Sequence, residues 1–543
     1  MNDRTSSAIA ATLIALVALG VLFFGIHWGT FAAADTDPYG YVSQADLIAN
    51  GSLKIDVRFG WDMPWPAADS SFVPPGYALS DPRGFAIPRY STGLPIVMAA
   101  LQRATGRRAS VFYAVPLLGA MAVVMIGWLG ARLYSPWAGV VSAILMATSP
   151  MFLFQITQPV SDVPAAAWWT LSLALAVGSA PAASLGAGLA AGMAVLTRPN
   201  LFPLAALLEA FLAWHVVRAS AQDRRTAINR LALFNAGLVP GFLTVAALNQ
   251  YWWGSALRSG YGPLNELYIW QSVLPNLTRY PKWLVQTETP LICLALAAPL
   301  VTRKTSGAPG ERTVRRDHVW LFLAFTFIVV WSYLMWGVFG PSERQYLRFL
   351  LPAFPPLIVL SVTVLFEMRR RLLSGPRFLV ALPLVVAAWV GWQLYEARYQ
   401  GVTSFRQLEQ RYVDVGRYIA FAMPRESVFI SGLHAGSIRY HGERLTVNFG
   451  RLEPGALDAA VAGLTAKGFH PYIALEQGEE PIFKERFRTH SQFAELDWPP
   501  RLQTSAGVQV HIYDPADRQH FLAGEVIGTF DMLLRSQPQL TIP

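Results

Sequence analysis

Long apolar runs separated by short polar breaks occupy most of the chain. The first, about 8–26, carries no charged residue, and a membrane span needs about 20 mostly apolar residues. Similar runs fall at about 109–130, 136–149, 163–179, 183–197, 200–217, 231–248, 289–302, 318–337, 349–366 and 376–395. The pattern predicts an all-α polytopic membrane domain over 1–395, with about 11 transmembrane helices. The runs at 136–149, 183–197 and 289–302 are short. Ala32-Ala33-Ala34 resembles a signal-cleavage site, but the run before it is longer than a signal core and more runs follow, so it is read as a span. Gly188 and Gly192 are four apart, which predicts close helix packing.

Two regions break the pattern. The first loop, about 27–108, is polar and rich in Trp, Pro and Asp. From Tyr39 its apolar positions (Tyr41, Ala45, Ile48) have helical spacing, which predicts a helix lying on the membrane surface. Residues 396–543 alternate short strands and helices. Strands are predicted at 427–431, 444–447, 471–475 and 508–513, with helices at 434–440, 457–467 and 479–488. This alternation predicts a C-terminal extramembrane α/β domain.

Composition supports this division. Apolar residues make up 53% and charged residues 14%, against roughly 25% charge in soluble domains. With a mean hydropathy of +0.35, a disordered chain is excluded and an ordinary soluble enzyme is disfavoured. Cys293 is the single cysteine, so no intrachain disulfide forms.

The net charge of +9 reports topology. With the N-terminus cytoplasmic, the inside segments (1–7, 131–135, 180–182, 218–230, 303–317, 367–377) hold 15 basic and 5 acidic residues. The outer loops before 396 hold 13 and 11, and the tail 15 and 17. Basic residues concentrate inside, as the positive-inside rule requires. Patches such as Arg369–Arg371 suit anionic lipid headgroups, and no nucleic-acid partner is needed to explain them. The orientation places the C-terminal domain outside, in the periplasm if the membrane is a bacterial inner membrane.

Candidate chemistry clusters on the outer side. Asp35 and Asp37 stand just after the first span, where carboxylates serve as general base or cation ligands. The alternative is that one of them caps the helix. Asp162, in Ser161-Asp162-Val163-Pro164, starts another span and faces the same alternative. Arg198-Pro199-Asn200 lies between two spans. In Glu343-Arg344-Gln345-Tyr346-Leu347-Arg348, two arginines four apart share a face if helical. With Tyr346 they could grip a phosphate, or simply anchor at headgroups. Glu209 lies within an apolar run, a functional candidate by default. Outer aromatics (Trp61, Trp65, Tyr251, Trp252, Trp253, Tyr268, Trp270) suit an interfacial belt or sugar rings. His434 and His441 are read as structural. No phosphate loop, zinc spacing or Ser/His/Asp set is present.

These motifs, taken in order, resemble the GT-C glycosyltransferases that use polyprenyl-phosphate-linked sugars. The nearest likeness is to the branch of protein O-mannosyltransferases and lipid A aminoarabinose transferases. The resemblance rests on Asp37-Pro38-Tyr39-Gly40-Tyr41-Val42-Ser43-Gln44-Ala45, Ser91-Thr92-Gly93-Leu94-Pro95, Asp162-Val163-Pro164, Thr197-Arg198-Pro199-Asn200 and Arg348-Phe349-Leu350-Leu351-Pro352. It implies that Asp37 is the catalytic base, with Asp35 in an alternative register because Asp35 to Tyr39 repeats the four-residue step. Asp162 would assist. Arg344 or Arg348 would neutralise the lipid phosphate, with Arg89 near the position of a lysine seen in some relatives. Tyr39, Tyr41, Arg198 and Tyr346 would line the substrate.

The implied donor is a polyprenyl-phosphate sugar, and the implied acceptor a lipid, glycan or protein hydroxyl. No cofactor is required, although some relatives hold a divalent cation, and Asp35 with Asp37 leaves that open. A nucleotide-sugar site at Asp35–Asp37 is discounted because it would face away from the cytoplasm. The competing class is a transporter or flippase of a lipid-linked or anionic substrate, which would need paired charges deep in the spans and internal repeats. A non-catalytic assembly or sensor protein leaves the outer acids and arginines unexplained.

Overall fold

The computed structural model describes residues 3–262, 264–302, 314–337, 344–372, 380–504 and 507–534. Glu343, Arg303, Lys304, Arg312 and Arg377 of the sequence argument lie outside these. The chain divides into two compact units. One is Met1–Gly29 with Tyr113–Val402, and the other is Thr30–Phe112 with Thr403–Pro543. The first-loop segment thus packs with the tail.

The first unit is helical, and among the described residues each apolar run predicted above coincides with helix. Among the described residues six helices are long and apolar enough to cross a membrane: Arg4–His27, Arg108–Leu133, Pro199–Arg218, Arg224–Trp253, Arg316–Leu334 and Arg344–Arg371. Two further pairs are bent, Pro136–Thr148 with Pro150–Ile156 by 62° and Trp270–Glu288 with Pro290–Val301 by 111°. Length and composition therefore give six spans, or up to eight if each bent pair crosses once. The predicted runs at 136–149 and 289–302 each lie in one of these bent pairs. Each break falls at a residue before proline, Ser149-Pro150 and Thr289-Pro290, where helical geometry is disfavoured and the proline has no N–H to donate.

The polar groups at the two breaks satisfy one another. Glu288 accepts hydrogen bonds from the Ser149 hydroxyl (2.5 Å) and the Gln393 amide (2.5 Å). Gln393 also donates to the Leu145 carbonyl and accepts from Thr148. The Gly188/Gly192 expectation is met as well. A Cβ on Gly188 would lie 2.0 Å from the Phe234 carbonyl oxygen, and one on Gly241 would lie 2.4 Å from the Gly192 Cα. Only glycine lets the Pro181–Thr197 helix approach Arg224–Trp253 this closely.

The second unit is built on a six-stranded sheet. Its strand order is Leu445–Asn448, Ser427–Ser431, His470–Glu476, Val510–Tyr513, Leu502–Thr504, Phe530–Met532. The first three strands are parallel, with Phe429 opposite Thr446 and Tyr472, and Val510–Tyr513 runs antiparallel to His470–Glu476. Phe429, Tyr472, Ile512, Leu502 and Ile438 form its core with Val415 and Ile419 of the Phe405–Ala422 helix. The seven predicted tail elements are present with ends shifted by a residue or two, and the structure adds the helices Phe405–Ala422 and Asp517–Leu522 and the strands Leu502–Thr504 and Phe530–Met532. The first-loop segment adds helices Asp37–Ala49 and Gly93–Thr105 and a three-stranded antiparallel sheet of Ile55–Asp56, Phe85–Pro88 and Tyr77–Leu79.

Candidate functional site

In the second unit, Asp37 opens the Asp37–Ala49 helix. The capping residue is Thr36, and it makes no side-chain capping bond. Asp37 instead accepts a hydrogen bond from the Tyr90 hydroxyl at 2.5 Å. The Tyr90 ring is held in place from two sides. It packs against Tyr41, with centroids 4.9 Å apart, and it lies flat on Gly40, where a Cβ would come within 2.4 Å of the ring. Tyr39 and Tyr41, expected to line the substrate, are 3% and 4% exposed. The run Tyr39–Ala45 is buried throughout, so this half of the helix is core rather than a half-exposed surface helix.

Asp35 is exposed and sits in the left-handed region at φ 42°. Its carboxyl pKa is raised, first by desolvation and then by the negative charges of Asp37 and Glu476, against hydrogen bonds from Thr36. Arg89 is exposed and makes no ion pair among the described residues. Tyr90 is the residue that sequence reasoning missed here. Its only signal was its place beside Arg89, ahead of the Ser91–Pro95 motif.

A buried charge cluster lies where the parallel strands Ser427–Ser431 and His470–Glu476 end, the position at which open α/β sheets carry their functional groups. Arg411 donates to Glu476 (2.8 Å) and Glu409 (3.3 Å), and His434 bonds Glu476 at 3.1 Å. Glu479 accepts from the backbone N–H groups of Leu433 (2.8 Å) and Glu476 (3.1 Å). Two N–H groups that would suit an anionic ligand are thus filled by the chain's own carboxylate. Among the described residues no group of three or more His, Cys, Asp or Glu side chains is arranged to hold a metal ion.

Burial, reinforced by nearby acids, pushes the Glu409 and Glu479 carboxyls up to about 7. Glu476, whose burial is outweighed by His434 and Arg411, is held at about 2. An acid with a raised folded pKa stabilises the fold below its unfolded value of 4.5, and that contribution fades as pH climbs to about 7. Glu476 acts in the opposite sense, but only below pH 4.5. The melting midpoint of the sheet domain should therefore fall between pH 5 and 7.5. Calorimetry of the detergent-purified protein should show this slope reduced in Glu479→Gln. A flat profile in the wild type, or an unchanged slope in the variant, would refute the assignment.

The first unit holds the other candidates. Asp162 is the first residue of the Asp162–Ala176 helix and is 2% exposed. Ser161 precedes it without a side-chain capping bond. Asp162 pairs with Arg198 at 2.6 Å, and Arg348 Nε lies 4.0 Å from the same carboxylate oxygen. Arg198 also donates to the Ser161 hydroxyl (3.3 Å) and the Tyr333 hydroxyl (3.1 Å). Phe349 stacks on Tyr333 at 5.1 Å and receives both guanidiniums on its ring. Tyr346 lies against the same ring at 5.9 Å.

Arg344 goes elsewhere, to an ion pair with Glu396. The shared face expected for Arg344 and Arg348 fails because Arg344–Ala353 winds as a 3₁₀ helix. At three residues per turn, positions four apart point about 120° away from each other. Glu209 makes no ion pair among the described residues. Of the outer aromatics, Trp65 and Trp252 are buried, whereas Trp61, Tyr251 and Trp270 are exposed.

The described residues thus comprise apolar helices long enough to span a membrane, a mixed α/β sheet domain and an ordered first loop. No protein-family model matches the chain, and no curated protein matches it in sequence. Solved structures do match in shape. ArnT from Cupriavidus metallidurans bound to undecaprenyl phosphate aligns with a TM-score of 0.50 at 12% identity, over 87% of this chain and 94% of that one. The apo oligosaccharyltransferase of Archaeoglobus fulgidus aligns with a TM-score of 0.55 at 13% identity, over 98% and 75%. Archaeal AglB from the same organism, in complex with an inhibitory peptide and a dolichol-phosphate, gives 0.54 at 12% identity over 98% and 75%. At such identity the likeness establishes the fold, and chemistry has to be argued from the residues.

Proposed function

We propose that this protein is an integral-membrane glycosyltransferase. It moves a sugar from a polyprenyl-phosphate donor to a hydroxyl of a lipid, glycan or protein acceptor on the outer face of a bacterial inner membrane. The N-terminus is cytoplasmic and the C-terminal domain periplasmic. Asp37 is the base. The observation that carries this reading is the Asp37–Tyr90 bond: a carboxylate placed directly after the first span, in a GT-C fold, serves as no helix cap and is oriented by a buried-side phenol. The structural neighbours solved with undecaprenyl phosphate and dolichol-phosphate support the lipid-phosphate donor.

The chemistry asks little else of the protein. Phosphate leaves without a strong general acid, so the enzyme must align the acceptor, accept its proton and stabilise charge on the departing phosphate. Within the first unit, Arg348 and Arg198 beside Asp162 have the chemistry to stabilise a phosphate. One base and no enzyme nucleophile imply inversion at the anomeric carbon.

The test is transfer by the purified protein from a panel of undecaprenyl-phosphate-linked hexoses and pentoses, with membranes from a deletion strain as acceptor source. Product configuration is read by NMR. At least one donor should react, with inversion. Retention, or no reaction with any member, would overturn the proposal.

A further inference from the structure

The first-loop segment and the tail belong to one compact unit, and the turn that bears Asp35 and Asp37 is flanked at both ends by a short helix of the tail, Ala435–His441. At the C-terminal end of that helix, His441 Nε2 accepts a hydrogen bond from the Ala33 backbone N–H at 3.0 Å. At its N-terminal end, Gly436 lies under Tyr39, where a Cβ would come 2.6 Å from the ring. Ala33 and Tyr39 bracket the two acids in sequence. Ala32 and Ala34 are packed against Tyr412 of the neighbouring helix.

Between these anchors Asp35 holds φ 42°. Aspartate is among the non-glycine residues that adopt positive φ most readily, and the contacts on either side help to hold it there. The acceptor role requires an unprotonated Nε2. Burial, then the charges of Arg417 and Arg108, hold the His441 pKa at about 4, so the imidazole is neutral at ordinary pH.

We propose that His441 is a positioning residue of the transfer reaction, fixing through the Ala33 amide the turn that carries Asp35 and Asp37, and that the C-terminal domain contributes to catalysis by holding this turn. The inference rests on Asp37 being the base.

Full-length His441→Leu, His441→Gln and Gly436→Ala are purified in detergent and compared by hydrogen exchange and kinetics. In His441→Leu, exchange of a peptide covering 30–40 should quicken by about tenfold while strands 427–431 and 470–476 stay protected. With the panel donor that the wild type turns over, kcat should fall roughly 10- to 100-fold, since displacement of a reacting group by about 1 Å costs that much. KM should stay within about threefold. Glutamine, which can still accept the Ala33 N–H, should restore both readouts.

Unchanged exchange at 30–40 in His441→Leu, glutamine behaving like leucine, or a raised KM with kcat intact would each overturn the inference. If His441→Leu loses strand protection as well, Gly436→Ala decides. It disturbs the other anchor and must show the same fall in kcat at constant KM, or the inference fails. Should Asp37→Asn retain full transfer, the base assignment falls instead, while the exchange comparison still decides whether His441 holds the turn.

Discussion

Asp37→Asn will abolish sugar transfer and leave the fold intact. Asparagine has the same shape and its carbonyl oxygen can still accept the Tyr90 hydroxyl, so the contact that seats the residue survives. What disappears is the ability to take a proton. General-base catalysis contributes roughly 10²- to 10⁴-fold, and the variant should lose about 10³-fold in kcat with its melting midpoint unchanged. Asp35→Asn separates the two registers that sequence leaves open. Asparagine is among the residues that best tolerate positive φ, so the turn at φ 42° should persist. Its transfer rate should stay within about tenfold of wild type. The opposite ranking would move the base to Asp35, and full activity in both variants would end the base assignment.

The second large effect is expected at Asp162. Its carboxylate, 2% exposed, faces Arg198 at 2.6 Å and Arg348 at 4.0 Å. Removing one partner of a buried pair leaves an uncompensated charge and costs roughly 3–5 kcal/mol. In Asp162→Ala the two guanidiniums lose the carboxylate they share, so a loss in this range is expected, together with loss of transfer. Replacing both members of the closer pair, Asp162→Leu with Arg198→Leu, removes one of these two charges together with the carboxylate and should recover part of the melting midpoint. Transfer should remain absent because Arg198 is gone and Arg348 has lost the carboxylate beside it. Thermal unfolding and donor turnover on the same samples decide it. A double variant as unstable as Asp162→Ala would show that packing, rather than charge, is what Asp162 supplies.

The features that could be read in advance were those with a local physical cause. Apolar runs predicted where helices form because burying apolar side chains is decided residue by residue. Gly188 and Gly192 announced a close helix contact because the absence of a side chain is itself the signal. The tail's strands and helices could be located because alternation and helical spacing are short-range patterns. Asp162, Arg198 and Arg348 were singled out as individually unusual charges among apolar neighbours, and the structure brings the three together.

Other expectations failed for reasons that no local pattern carries. Tyr39 and Tyr41 have the spacing of one helical face, but whether that face meets substrate or core depends on what packs over it. In this fold Gly436 and Tyr90 do. Arg344 and Arg348 were placed on one face by assuming 3.6 residues per turn, and the tighter 3₁₀ winding separates them. The bends at Thr289 and Ser149 have proline signals, but the Glu288–Gln393 bond across them joins residues 105 apart.

By itself, then, the amino-acid sequence determined a membrane-embedded helical bundle, an α/β tail, and the residues whose chemistry was worth following. Those outcomes follow from hydrophobicity, periodicity and the scarcity of charge, all of which act locally. Only the tertiary structure decided the partners. Tyr90 reaches Asp37 across 53 residues, Arg198 reaches Asp162 across 36, and His441 reaches Ala33 across 408. Contacts of that separation are set by how elements stack once formed, because a hydrogen bond requires two groups within about 3 Å and nothing in a linear pattern specifies that distance.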